Sequence, residues 1–415
     1  MENPKENKLS LWILLLIVFI DLLGVGIIIP ILPVVFFETN ILASSPMAVK
    51  TFLLGLLIAA YPIAQFFGAP LLGSLSDRMG RKPVLLISLL GTFFGYILFA
   101  LGLMISDIYL LFLARILDGF TGGNISVARS AIADTSTEKT KVKNFGLIGV
   151  AFGLGFIFGP FVGGKLTDSQ MVSWFNITTP FWFAAILVAF NLLFVIWKFK
   201  ETLKKKTERK VNAFSGFVNI GNAFKMHDLR SVFITLFLMF FGWSFFTQFF
   251  QIYLYDKFKY TPADIGTTFA YMGIWIVIAQ GVVTRSLSSR VKPRKVLEFS
   301  LLFTSIMLFI LLIPNNHIYL WFIIPFISIF NGLTMPNISA VISDSVGETK
   351  QGEVMGIQQS LISAAQAIPP IIAGISIAFS SYIPIVLGGL FIFLSWVVYT
   401  FCCKNNLKKM KDQSQ

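Results

Sequence analysis

Charge is what this chain has least of. Only 13% of its 415 residues are Asp, Glu, Lys or Arg, about half of what a water-facing surface carries. A soluble enzyme and a disordered chain are excluded on that ground, since neither keeps so large an apolar surface away from water. Cysteine is nearly absent: Cys402 and Cys403 are vicinal, so there is no disulfide framework. Acylation of that pair at a helix end is conceivable chemistry, but inert thiols are the simpler reading. The two histidines, His227 and His317, lie far apart in loops and cannot assemble a metal site with those cysteines. No Walker loop or dinucleotide fingerprint occurs, so ATP drive has no support, and no cofactor or catalytic residue is expected. Asn176-Ile177-Thr178 is a sequon, meaningful only in a eukaryotic secretory product.

What the chain has instead is apolar length: 56% hydrophobic residues, 45 phenylalanines and a mean hydropathy of +0.79. A bilayer core about 30 Å thick takes roughly 20 apolar residues per helix at about 1.5 Å each. That ruler predicts twelve spans. In the first half they lie near 10–37, 51–75, 83–105, 107–133, 144–167 and 179–198. In the second half they lie near 228–254, 263–285, 294–313, 318–343, 352–379 and 383–401. The first is too long for a signal-peptide core and has no small-residue cleavage site after it, so it reads as a retained helix.

The net charge of +13 is a topology signal. With both termini cytoplasmic, 28 of the 33 lysines and arginines fall in cytoplasmic segments, as the positive-inside rule requires. Scattered in this way, the basic residues form no nucleic-acid patch. The run Lys204–Lys210 reads as a solvated linker near anionic lipid.

That linker separates two similar halves. Ser74–Leu90 aligns with Ser286–Leu302 at nine identities in 17 positions. A second register pairs Asp134 with Asp344, Glu138 with Glu348, Gly146 with Gly356, Pro160 with Pro370 and Gly164 with Gly374. The expected fold is an all-α membrane protein of twelve transmembrane helices in two pseudo-symmetric six-helix bundles. Residues 1–200 form the first bundle, 201–227 a cytoplasmic linker, 228–403 the second bundle and 404–415 a tail. Parallel repeats of this kind place a substrate site near the midplane and transport by rocking one half against the other.

The best-defined motif is Gly73-Ser-Leu-Ser-Asp77-Arg78-Met-Gly80-Arg81-Lys82, between spans two and three. Gly73 permits close helix approach. Asp77 can accept from a helix N-terminus, and Arg81 can pair with Asp134 at the end of span four. A plain positive-inside anchor would account for Arg78, Arg81 and Lys82 but not for Asp77 or the glycines. The second repeat has Ser289 and Pro293 where the first has Asp77 and Arg81, so the halves differ here. The loop resembles the signature loop of the major facilitator superfamily, in which it acts as a gate.

Three further segments sharpen the resemblance. Asp21-Leu-Leu-Gly24-Val-Gly26 through Pro30 and Pro33 resembles the first-helix motif of twelve-span drug:proton antiporters. Arg115-Ile-Leu-Asp118-Gly119 with Gly122-Gly123 resembles their fourth-helix motif, from which Asp118 is a departure. Gly149, Gly153, Gly155, Gly159-Pro160 and Gly163-Gly164 resemble their fifth-helix antiporter motif. The similarity is greatest to the tetracycline-resistance efflux family. It spans most of the first half, including Glu201-Thr202, and Pro336–Gly356 in the second. That family's histidine in span eight and acid in span nine align with Ile276 and Leu302, which argues against tetracycline itself.

The residues carry their own physics. Glycines 149, 153, 155, 159 and 163 lie mostly on one helical face, where another backbone can pack. Pro160 removes a donor and permits a bend. Asp21 lies about 16 Å into span one, and Arg115 and Asp118 about 12 and 16 Å into span four. Charges at that depth are costly and are functional candidates. The plainer reading is an Arg115–Asp118 pair that neutralises itself at i, i+3. The functional one has a carboxylate alternating between Arg115 and a proton. Asp21 is favoured as carrier because it has no partner on its own helix, with Asp118 holding Arg115. Tyr61, Gln65, Trp243, Gln248, Asn331 and Gln366 are plausible cavity residues, although polar side chains in such helices also act as interhelical glue. Met239–Phe250 could stack on a flat ligand, though core or lipid contact is the simpler role.

The resemblance implies a secondary active transporter: proton-driven efflux of a small amphipathic drug-like molecule or metabolite, by alternating access. The expected chain is a monomer in a bacterial cytoplasmic membrane, with protons, a small molecule and lipid as partners and no nucleic acid. The alternative is a proton-coupled carrier of a nutrient or of a metal chelate such as a siderophore.

Overall fold

The computed structural model describes residues 4–136, 138–203, 206, 214–226, 229–288, 290–343 and 351–403. All regular structure among them is helical, the arrangement that satisfies every backbone N–H and C=O within one segment where no water can. In chain order the α-helices are α1 Pro4–Ile27, α2 Leu32–Phe37, α3 Met47–Met79, α4 Arg81–Met104, α5 Ile108–Thr121 and α6 Asn124–Asp134. They continue with α7 Glu138–Lys165, α8 Thr179–Lys198, α9 Ser215–Lys225, α10 Arg230–Phe258, α11 Pro262–Ile278 and α12 Thr284–Ser288. The last are α13 Pro293–Ile310, α14 Leu320–Ser343, α15 Gln351–Ala367, α16 Pro369–Ile377 and α17 Ile383–Val398.

Eleven stretches among the described residues are long and apolar enough to cross a bilayer. The predicted ninth span is present as α13 but falls short of that standard. It has 18 residues, and Arg294, Lys295 and Glu298 occupy its first two turns. Several spans are composites, broken where the sequence removes a donor or a side chain. Pro30 lies in the break between α1 and α2, whose second residue is Pro33, Gly122-Gly123 separates α5 from α6, and Pro369-Pro370 open α16 just after the break from α15. The second span, α3, runs well beyond the expected 51–75. The expected linker, 201–227, is not wholly irregular, because α9 lies within it. Ser289, the counterpart of Asp77, and His227 lie outside the described residues.

The chain forms two compact units. One contains 1–46, 60–215 and 260–270; the other contains 47–59, 216–259 and 271–415. In the first, α1 packs along α7, and α4 packs against α5 and α8. In the second, α10 packs along α17 and α15, and α13 against α14 and α17. Each unit holds a very close crossing at the same Pro/Gly position of the repeat. In the first unit, a methyl added at Gly266 of α11 would run into the Pro160 carbonyl oxygen and lie 3.3 Å from Gly164 Cα. In the second, one added at Gly55 of α3 would meet the Pro370 carbonyl oxygen and Gly374 Cα, the latter at 2.8 Å. The Pro/Gly pairs are the ones that the repeat register aligns. Small residues let backbones come together where lipid supplies no hydrophobic drive.

The fifth-span glycines divide in the same terms. Gly155, Gly159 and Gly163 lie against Leu22–Ile27 of α1, each too close to accept a side chain. Gly149 meets nothing within 4 Å. Its expected place in the packing groove is therefore corrected: Gly149 is exposed, on a face of α7 that α1 does not cover.

Candidate functional site

Two polar clusters stand out in the first unit. The first is built on the junction of α3 and α4, which is a single residue. Gly80 has φ +113° and ψ 158°, a region essentially reserved for glycine. The sharp reversal brings Arg81, the first residue of α4, back over the last turn of α3. Its Nη1 donates to Asp77 Oδ1 and to Ser76 Oγ, both at 2.6 Å, and its Nε donates to Asp134 Oδ2 at 2.9 Å. The Arg81 side chain is only 6% exposed. A buried cation answered by two carboxylates and a hydroxyl is well satisfied, and removal of one partner from such a pair is expensive. Thr202 Oγ1 adds a longer 3.4 Å bond to Asp134 Oδ2.

The expected helix-capping role of Asp77 is not what the structure has. Asp77 is four residues before Arg81, within direct reach of the guanidinium, and is taken by it. The cap of α4 comes from Glu201, beyond the end of α8. Its carboxylate accepts from the backbone N–H groups of Arg81 (2.9 Å), Lys82 (3.0 Å), Thr202 (3.0 Å) and Leu203 (2.9 Å). Burial pushes the Glu201 carboxyl upward, but the bonds from Leu203, Arg81, Lys82 and Thr202 outweigh it and bring it below the ordinary glutamate value. Lys82 Nζ closes the other side by donating to the Ile196 carbonyl near the end of α8 at 2.9 Å. Arg78 is exposed. A methyl added at Gly73 would lie 3.3 Å from Ser126 Oγ.

The second cluster is buried among α1, α3, α4, α5 and α6. The Arg115 guanidinium carbon lies 4.7 Å from the centroid of the Tyr61 ring, and Nη1 is 3.9 Å from Asp118 Oδ2. Asp118 also faces Thr92. Asp21 is 3% exposed, and neither of its oxygens has a hydrogen-bond partner of good geometry. Its near neighbour is the amide of Asn124, the first residue after the Gly122-Gly123 break, whose amide atoms are unmatched in the same way. The Tyr96 hydroxyl is buried without a partner, pressed against α1 where Gly24 has no side chain to stop it.

Of the proposed cavity residues, Tyr61 and Gln65 join this cluster: Gln65 Nε2 donates to the Gly122 carbonyl (3.1 Å) and to Tyr61 Oη (3.4 Å). In the second unit, Gln248 Nε2 donates to Ser244 Oγ (2.5 Å) and to the Gln366 backbone carbonyl (3.4 Å). Pro370 has no N–H with which to serve that carbonyl, so Gln248 patches the break between α15 and α16. Asn331 Oδ1 is buried without a partner, and Trp243 lies 5.1 Å from Phe246, ring to ring. Glu201, Thr92, Tyr96 and Asn124 were not singled out as site residues. In the sequence Glu201 stands out only through the family resemblance, and Asn124 only as an amide beside a Gly-Gly break. Tyr96 carries no sequence signal.

The family model described as Major Facilitator Superfamily matches residues 14–297 and 232–411. The class H tetracycline resistance protein of Pasteurella multocida is 30% identical over 381 residues, covering 88% of each chain. The quinolone resistance protein NorA of Staphylococcus aureus (strain COL) is 28% identical over 417 residues, covering 98% of this chain and all of that one. Among solved structures, the human organic anion transporter MFSD10 (TETRAN) superposes with a TM-score of 0.72 at 22% identity, covering 96% of this chain and all of that one. With eleven apolar stretches long enough to cross a bilayer among the described residues, a repeated sequence and a family match along nearly its whole length, the chain belongs to the major facilitator superfamily of membrane transporters.

Proposed function

We propose that this protein is a proton-driven exporter of small amphipathic, drug-like molecules, working as a monomer in a bacterial cytoplasmic membrane with both termini in the cytoplasm. The drug-resistance names of relatives aligned along most of the chain support export. The observation behind proton coupling is the charged cluster at mid-depth. Asp118 has Arg115 beside it as counter-charge, whereas Asp21 has none. A buried carboxyl with no cation to offset it is the group for which taking up and releasing a proton changes most. Asp21 is therefore the carrier, Asp118 holds Arg115, and the Arg81 cluster is the gate.

The test is transport in proteoliposomes with an imposed pH gradient, using a panel of amphipathic antibiotics first screened by susceptibility in an efflux-deficient host. Asp21→Asn should abolish uphill export while leaving downhill exchange. Asp118→Asn should reduce activity with coupling kept. If Asp21→Asn still drives full uphill export and Asp118→Asn uncouples, the roles are reversed. If both stay coupled, the proton is carried elsewhere.

A further inference from the structure

Helix α9 is amphipathic the wrong way round for a helix that meets water. Its exposed positions follow a helical stripe: Phe217, Val218, Gly221, Phe224 and Lys225, with Phe214 just before the helix on the same stripe. Phe217, Val218 and Phe224 are each more than half exposed. The covered side is small and polar. Gly216 and Ala223 are buried, and Asn219 Nδ2 donates 3.0 Å to Ser360 Oγ of α15. A water-facing helix buries its aromatics and shows its amides. This one does the opposite, as a membrane-embedded span does.

Yet α9 has 11 residues, about 16 Å of helix, and is too short to cross a bilayer. It is tied to the membrane surface at both ends of the connection, because α8 ends at Lys198 and α10 begins at Arg230. The sequence from 204 to 230 holds seven basic residues against two acidic ones. Apolar side chains facing outward, a basic surround and adjacent membrane entry points all select one occupant. We infer that α9 lies in the interface of the inner leaflet, with Phe217, Val218 and Phe224 among the upper acyl chains and the exposed Lys225 and Arg230 at the level of anionic phospholipid headgroups. The inference does not rest on the proposed transport function, only on the chain crossing the membrane.

The test uses the full-length protein with Cys402 and Cys403 replaced by serine, Phe217→Cys labelled with an environment-sensitive dye, and reconstitution in vesicles of phosphatidylethanolamine with either phosphatidylglycerol or phosphatidylcholine. Phe224→Cys is the second site if the first variant misfolds. The dye should emit to the blue of its free conjugate. Lipids with a nitroxide high on the acyl chain should quench it more than lipids labelled deep in the bilayer. Iodide quenching should be about tenfold weaker than for the free conjugate. The blue shift should shrink when phosphatidylglycerol is replaced by phosphatidylcholine. Strong iodide quenching would mean a water-facing helix and overturn the inference. Quenching by neither lipid nor iodide would mean that protein covers the stripe, and would overturn it too. Equal shifts in both lipid mixtures would overturn the anionic headgroup assignment.

Discussion

Replacing Gly80 with alanine tests the junction on which the first cluster is built. Two costs follow from the geometry. The backbone at φ +113° and ψ 158° is strained for any residue with a Cβ, by about 1–3 kcal/mol. The new methyl would also lie 2.5 Å from Glu201 Oε2, so the carboxylate must withdraw from the N–H groups of Arg81 and Lys82. Charge-assisted bonds of that kind contribute about 1.5–3 kcal/mol each when buried. Glu201 is exposed, so screening reduces the pair to about 1–2 kcal/mol. The expected loss is about 3 kcal/mol, read by reversible unfolding in detergent micelles titrated with dodecyl sulfate. Glu201→Ala separates the two costs. In that background the clash is gone, and Gly80→Ala should cost only the backbone strain, about 1–3 kcal/mol. Asparagine, which tolerates ordinary left-handed helical angles, should not rescue the site, because ψ is far from that region. A Gly80→Ala variant as stable as the parent, or one that loses the same amount with and without Glu201, would refute this account of the junction.

Three other outcomes are expected. Glu201 is held below the ordinary glutamate value, so the stability it lends is complete above its unfolded value of about 4.3 and is lost as pH falls through its lower folded value; Glu201→Gln should flatten the acid limb of a stability profile. Gly159→Leu should abolish assembly, since its site meets the backbone of Leu23 and Gly26, whereas Gly149→Ala should be neutral in expression and thermal stability. Gln248→Met should cost about 1 kcal/mol of thermal stability by uncapping the Gln366 carbonyl, with substrate affinity unchanged; a selective loss of affinity would instead return Gln248 to the substrate site.

Residue type and spacing were enough to find the spans, the repeat and the Arg81–Asp134 pair, because apolar length and charges in a bilayer have few uses. They were not enough to say which face of a span meets protein and which meets lipid, since both faces are apolar. Gly149 and Gly159 read alike for that reason, and only what lies opposite separates them: α1 at Gly159, nothing within 4 Å at Gly149. The capping of α4 by Glu201 was hidden by distance: 120 residues separate it from Arg81, and no local pattern links them. Gln248 read as a ligand-facing amide because its acceptor is a backbone carbonyl left free by a proline in another helix. The break at Pro369-Pro370 was visible; what would fill it was not.

The crossing of Gly55 with Gly374 has a consequence for how the protein is made. Its two sides are separated by about 320 residues, which a ribosome working at roughly 5–20 residues per second takes about 15–60 s to deliver. For that interval the bare flank of α3 around Thr51, Gly55 and Ala59 is in the bilayer without the helix that will cover it. It can wait there safely, because Thr51 spends its hydroxyl on its own helix, bonding the Ala48 carbonyl, and glycine and alanine offer lipid nothing to mispair with. A polar side chain introduced on this flank should therefore do its damage during synthesis, as premature association and quality-control loss, before the finished transporter ever moves a molecule.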